Sequence, residues 1–135
     1  MLEKMGEKLR LKVAALLVKD KRILLVRNKG DKGFTLPGGG VERGEDIYDT
    51  LSREIEEEIA CSLDEVSFFD TYLGAIQEDG RRNFAFVFKV TSQGKPKKGK
   101  DVEEVKWFSI KEILAGITGN NGLVKFIRRV KAKLY

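Results

Sequence analysis

"LPGGGVERGEDIYDTLSREIEEEIAC", residues 36 to 61, decides how this chain is read. Its first half sets a proline before three glycines. Its second half crowds Glu54, Glu56, Glu57 and Glu58 between Arg53 and Cys61. Like charges one helical turn apart repel by about 0.2–0.5 kcal/mol per pair. A chain that keeps such a cluster needs something to hold it together.

Residues 45 to 59 read as a helix. Ile47, Leu51, Ile55 and Ile59 recur every four residues and make one apolar stripe. Asp46 and Asp49 stand near its start, where the helix dipole favours acids. Successive side chains step by about 100°, so with Glu54 at 0°, Glu58 falls near about 40° and Glu57 near about −60°. Glu56 falls near about 200°, away from the other three. Three carboxylates therefore share one side of the helix. A solvated acidic face is one reading of them. A hard divalent cation, which prefers oxygen ligands, is the other, and it turns the repulsion into attraction. The glycines in front favour the second reading, because they let backbone approach a metal or phosphate closely.

Working outward, Lys12 to Lys19 reads as a buried strand, "KDKR" as a turn, and Ile23 to Val26 as its hairpin partner. Phe34 to Leu36 is a short strand stopped by Pro37. Val66 to Gln77 and Asn83 to Thr91 read as strands joined by the turn signal "EDGR". "SQGKPKKGKD", residues 92 to 101, reads as a solvated, mobile loop with four lysines. Val102 to Phe108 is a last strand. Ser109 caps a short helix, "IKEIL", with Glu112 three residues on. Leu123 to Leu134 is a final helix with Leu123, Ile127, Val130 and Leu134 on one face. Strands and helices are interspersed without repeats, which predicts an α/β layered domain.

The chain length of 135 residues suits one domain, 1–135, and its 41% apolar content suffices for a core. The longest apolar run, Val13 to Val18, is strand-sized and far short of the ~18 residues that span a bilayer. "MLEKMGEKLR" has no apolar region of a secretory signal. The single cysteine, Cys61, has no internal partner, so a cytoplasmic protein is expected. There is no histidine, which leaves carboxylates or lysine as catalytic base and carboxylates as metal ligands.

Net charge is +5, yet residues 39 to 61 hold eight acids against two arginines, a local −6 that leaves +11 elsewhere. The island suits cations and its surroundings attract anions. The basic side of the last helix (Lys125, Arg128, Arg129, Lys131, Lys133) offers only weak, non-specific attraction to nucleic acid. It reads as a solvated face, and no nucleic-acid or membrane partner is expected. Phe34, Tyr72, Phe84 and Trp107 are able to stack on a base, though most aromatics of this kind belong to the core.

Gly39, five residues, Glu45, seven residues, then Arg53-Glu54-Ile55-Glu56-Glu57-Glu58 resembles the signature of the Nudix hydrolases, and Leu36-Pro37-Gly38-Gly39 resembles its usual lead-in. The resemblance implies a Nudix fold, an α/β/α sandwich with a central mixed β-sheet. It implies metal-dependent hydrolysis, with Mg²⁺ or Mn²⁺, of a nucleoside diphosphate linked to another group. Glu54, Glu57 and Glu58 become the metal carboxylates and the Gly39 carbonyl a further ligand. Glu45 and Arg53 become a supporting pair, and Glu56 the dispensable glutamate. The base that takes a proton from water is Glu58 or one of Asp101, Glu103 and Glu104, with Glu103 favoured. One position departs from the signature: Ala60 stands where the family has glycine. A local adjustment of the helix end is expected there, with Cys61 as a small buried hydrophobe.

The box reads only the diphosphate. Neither the proline frequent in ADP-ribose-cleaving members nor the tyrosine of dinucleoside-polyphosphate members follows it here. By elimination the resemblance points to a MutT-like enzyme that converts a nucleoside triphosphate to the monophosphate and pyrophosphate. ADP-ribose or a nucleotide sugar is the alternative substrate. An RNA-end pyrophosphohydrolase and a non-catalytic nucleotide-binding module stand behind both. Many relatives dimerise, but no residue in this sequence demonstrates a homodimer.

Overall fold

A computed structural model describes residues 8–135. Residues 1–7, which carry part of the stretch read for a secretory signal, lie outside the described residues. The strands are β1 (Lys8–Leu16), β2 (Val18–Lys19), β3 (Arg22–Asn28), β4 (Gly38–Gly40), β5 (Ser62–Leu73), β6 (Arg81–Gln93) and β7 (Val102–Ser109). The helices are α1 (Ile47–Ile59), α2 (Ile110–Leu114) and α3 (Asn121–Val130), with a 3₁₀ turn at Lys131–Lys133.

The runs Val13–Leu17 and Ile23–Val26 are apolar in both phases of a strand because both faces are covered. Val13 and Ala15 join Leu24 and Val26 in a cluster under Leu51, Ile55 and Ile59 of α1. Ala14 and Leu16 join Ile23 and Leu25 in a second cluster with Ile113 of α2 and Leu123, Phe126 and Ile127 of α3. Helices thus lie on either side of the strands, as an α/β/α sandwich requires.

The strands form two sheets where one central sheet was expected: a mixed sheet in the order β4-β1-β6-β5 and an antiparallel one in the order β2-β3-β7. The expected hairpin survives only as the two-residue pairing of β2 with β3. The body of β1 turns away from β3 and runs parallel to β6, with Lys8 opposite Arg81 and Leu16 opposite Lys89. A strand buried on both faces has no polar phase to fix its partner, so proximity in sequence misled the pairing. The two sheets still touch where the Leu24 amide donates to the Leu17 carbonyl at 3.1 Å.

Helix ends follow their capping chemistry. The Asp49 amide donates to the Asp46 side chain at 2.8 Å, and the Asp46 amide donates back to Asp49 at 3.1 Å. This reciprocal box starts α1 at Ile47, two residues later than expected. Ser109 and Glu112 make the same box for α2, as expected. At the other end of α1, Ala60 adopts φ 56°, ψ 38°, and its amide donates to the Glu56 carbonyl. The predicted adjustment does not occur: alanine takes up the left-handed turn at a cost of about 1–2 kcal/mol. Cys61 is buried, as expected. Among the described residues no helix is long and apolar enough to cross a membrane.

The last helix is tied to the sheet through Asp70 on β5. Its carboxylate pairs with Lys133 at 2.8 Å and Arg129 at 3.2 Å. The Lys133 contact, with the Thr71 amide behind it, holds the Asp70 pKa down at about 2. Two cations of the basic helix are therefore engaged inside the protein.

Two outcomes are expected from this fold. Ala60→Gly relieves the left-handed alanine but loosens the unfolded chain, and should raise stability by about 0.5–1 kcal/mol in a denaturant titration. Asp70→Asn should lower the melting temperature near neutral pH. A depressed carboxyl pKa contributes stability that is complete above its ordinary value of 3.8 and lost as pH falls through about 2. The gap between the two melting curves should therefore close across that window. A gap independent of pH would show that the Asp70 charge is not what joins β5 to α3.

Candidate active site

β1 holds the glycine run in place: Ala14 faces Gly38, Val13 faces Gly39 and Lys12 faces Gly40. This pairing lays the run beside α1. A side-chain methyl at Gly39 would collide with the Glu54 carboxylate. The glycine is there because backbone and carboxylate meet at that point.

Arg53 is the hub between loop and helix. Its Nε donates to Glu45 Oε2 at 2.7 Å and its Nη2 to Glu45 Oε1 at 3.0 Å, a bidentate pair. Its Nη1 donates to Glu54 at 2.9 Å and Glu57 at 3.2 Å, and Nη2 reaches the Gly40 carbonyl at 3.3 Å. Glu45 also accepts from the buried Thr50 hydroxyl at 2.9 Å and the Glu42 amide at 3.0 Å. The Arg53 contact above all holds the Glu45 pKa at about 2. The same pairing pushes the Arg53 pKa upward.

Glu58, one turn after Glu54, is 8% exposed. Its Oε1 accepts from the Gly38 amide at 2.6 Å. Burial raises its pKa to about 7, against the opposing pull of that amide. Burial likewise raises Glu54, against Arg53. Glu54, Glu57 and Glu58 line one cavity of about 410 Å³ together with Asn28, Lys100, Asp101 and Val102. Glu56 is exposed on another side of the helix and does not line it. The helix geometry foresaw this separation.

The favoured base is placed elsewhere. Glu103 borders a separate depression with Pro96, Lys97, Lys98 and Trp107, and Glu104 pairs with Arg27 at 3.5 Å. Within that trio Asp101 alone borders the acidic cavity. Its position comes from the lysine loop, which is not the loose segment expected. The Lys97 amide donates to the Ile59 carbonyl and the Gly99 amide to the Glu58 carbonyl, both at 2.9 Å. The loop thereby satisfies carbonyls at the end of α1. Gly99 lies so close to the Glu57 carbonyl that a methyl there would overlap it.

Two contributors, Asn28 and Lys12, were not foreseen, and a third, Lys100, belongs to the lysine loop. Asn28, at the end of β3, borders the cavity beside Glu58 and counters the rise of its pKa. Lys100 lines the cavity. Lys12 feels the charges of Glu58 and Glu54, although burial, followed by the repulsion of Arg10, pulls its pKa down. Lys12 directly precedes the buried run Val13–Leu17, and a lysine set against that run was the available signal. Of the aromatics, Phe34 and Tyr72 pack against the α3-side core and Phe84 stacks on Phe86.

Residues 8–130 match the family model described as NUDIX domain. The chain belongs to the Nudix family. It is similar to an ADP-ribose pyrophosphatase of Methanocaldococcus jannaschii, 31% identical over 105 residues, which is 75% of this chain and 62% of that protein. The chain thus spans less than two thirds of that relative's length. A solved MutT NUDIX hydrolase from Burkholderia pseudomallei superposes with a TM-score of 0.72 at 27% identity, over 78% of this chain and 86% of that one. A NUDIX hydrolase from Nitrosomonas europaea does so with a TM-score of 0.77 at 26% identity, over 93% and 90%.

Nudix hydrolases generally use a divalent metal, and the donor set here suits one. Three carboxylates of one helix border one cavity, and two of them are penalised for carrying charge there without a cation. As they stand, no cluster of three acidic side chains among the described residues is drawn tightly enough to ligate an ion. The reason is on the same helix: Arg53 engages Glu54 and Glu57, and Glu58 is turned to Gly38. Arg53 thus supplies the positive charge that Glu54 and Glu57 face.

Gly39→Ala tests this site. The collision falls on the end of a flexible side chain, so the variant should keep its fold by circular dichroism. Manganese titration should show affinity reduced by about tenfold or more, the usual scale for displacing a ligand's support. Unchanged affinity would remove the Gly39–Glu54 contact from the site.

Proposed function

We propose that the chain is a Nudix pyrophosphohydrolase, using Mg²⁺ or Mn²⁺ to cleave a phosphoric anhydride bond in a nucleoside diphosphate derivative. The observation that carries this is the shared cavity of Glu54, Glu57 and Glu58, with Lys100 and Asp101 at its rim. The three carboxylates and the Gly39 carbonyl are the groups to hold the metal. When bound, a divalent cation neutralises the diphosphate and makes water more acidic. Arg53 and Glu45 position the glycine run against the helix. Lys100 and Lys12 bring positive charge to the substrate's phosphates. The proton of the attacking water goes to Glu58 or Asp101, because the favoured Glu103 faces a different depression. A single domain supplies every residue of the cavity, so the reading requires no second copy. We take the cytoplasm as its compartment, consistent with the free thiol of Cys61.

For substrate we retain a nucleoside triphosphate, released as monophosphate and pyrophosphate. ADP-ribose is the second reading, favoured by the Methanocaldococcus relative. A panel of nucleoside triphosphates, ADP-ribose and nucleotide sugars, assayed for phosphate products, separates them. Glu57→Gln should lower turnover on the preferred substrate by about a hundredfold or more, while Glu56→Gln should stay within about twofold of wild type, as its exposed surface position implies. EDTA should abolish activity and Mg²⁺ or Mn²⁺ restore it. Equal losses in the two variants, or activity persisting in EDTA, would break the assignment.

A further inference from the structure

A second cavity lies apart from the acidic one. It encloses about 540 Å³ and shares no lining residue with the carboxylate site. Its walls come from the end of β1, from β2, from the end of β6 and from the start of the lysine loop. Trp107 of β7 supplies an aromatic face, half-buried, with Pro96 beside it. The charged groups in the lining are both cationic, Lys19 and Lys95, and the hydroxyl residues Thr91 and Ser92 stand with them. No carboxylate is in the wall. Among the described residues neither lysine takes part in a salt bridge.

We propose that this cavity is a second binding site, for a mononucleotide. The volume lies within the range of about 300–1,000 Å³ typical of small-molecule sites. An indole face takes any nucleobase by stacking, worth about 1–3 kcal/mol. Two lysines without acidic partners and two hydroxyl residues suit a phosphate monoester, since charge-assisted hydrogen bonds to an anion are the strong ones. A purely apolar ligand would leave both lysines unused, and an inorganic anion would leave the indole unused. A nucleoside monophosphate uses both. This inference rests on the cavity alone and not on the reading of the acidic site.

The cavity also stands at one end of a stapled segment whose other end is the acidic site. Gly94, Lys95 and Pro96 frame it, Lys97 and Gly99 fasten the loop to α1, and Lys100 and Asp101 border the carboxylates.

Trp107 is the chain's single tryptophan and borders both this cavity and the depression that holds Glu103, so its fluorescence reports binding on either side and the Lys19 and Lys95 replacements tell the two apart. AMP and GMP are titrated into the whole chain in EDTA, with correction for nucleotide absorbance. A saturable change in Trp107 emission is expected, retained in Glu57→Gln. In the Lys19→Ala/Lys95→Ala double variant the affinity should fall by about tenfold or more, the loss expected for removing charge-assisted contacts. Both lysines are exposed, so the double variant should melt as the wild type does. Adenosine should bind at least about tenfold more weakly than AMP on the same ground. Absence of a saturable change overturns the proposal. So does equal binding of adenosine and AMP, or an affinity untouched by the lysine replacements. Loss in Glu57→Gln with the lysine variant unaffected would place the nucleotide in the acidic cavity and overturn it as well.

Discussion

One guanidinium holds the functional end of this protein together. Arg53 bonds Glu45 with two nitrogens, Glu54 and Glu57 with a third, and the Gly40 carbonyl besides. Loop and helix are separate elements that also meet through Val41 and Ile47 against the core under α1, and these bonds fix their polar edges against each other. Arginine suits the role where lysine would not, because its planar fork meets several carboxylates at once. Yet one positive charge cannot satisfy Glu42, Glu45, Glu54 and Glu57 together, and Glu58 lies beyond its reach. Burial in addition raises the pKa values of Glu54 and Glu58, against the pull of Arg53 and of the Gly38 amide. A site short of positive charge, walled by oxygen, is what a divalent cation completes.

The same helix breaks a second local rule. Glu57 and Glu58 sit in the last turn of α1, where the dipole disfavours acids, and no basic residue occupies that turn. Left-handed Ala60 adds strain directly after them. The lysine loop offsets part of this by donating the Lys97 and Gly99 amides to carbonyls of that last turn. Gly99 lacks a side chain because the loop lies directly on the helix end. Sequences satisfy local preferences except where function opposes them, and α1 concentrates its exceptions on the side that lines the cavity.

This explains which parts could be read from residues alone. The apolar stripe of α1, the split of Glu56 from the other three glutamates, and the Ser109–Glu112 box are consequences of spacing within one element. Each came through intact. What depends on meetings between distant segments did not. β1 left its neighbour for β6 because an apolar run with both faces buried contains no phase to mark its partner. The lysine loop looked mobile because its composition is polar, while its order comes from backbone amides, which composition does not reveal. Glu103 and Asp101 are two residues apart and both carry carboxylates, and only the course of the loop sends Asp101 to the cavity.

The division between helix and surroundings also bears on substrate choice. The carboxylates and the glycine run belong to one continuous stretch, and in the proposed function what they offer is common to any diphosphate. Asn28 and Lys100 border the same cavity from β3 and the lysine loop, and Lys12 acts on its carboxylates from β1, all three on segments outside the box. Changes in any of them would alter what lies beyond the diphosphate without disturbing the carboxylates. The reaction is thus encoded locally and the substrate globally. The similar proteins carry names as different as ADP-ribose pyrophosphatase and MutT NUDIX hydrolase, which agrees with a substrate chosen by segments outside the box.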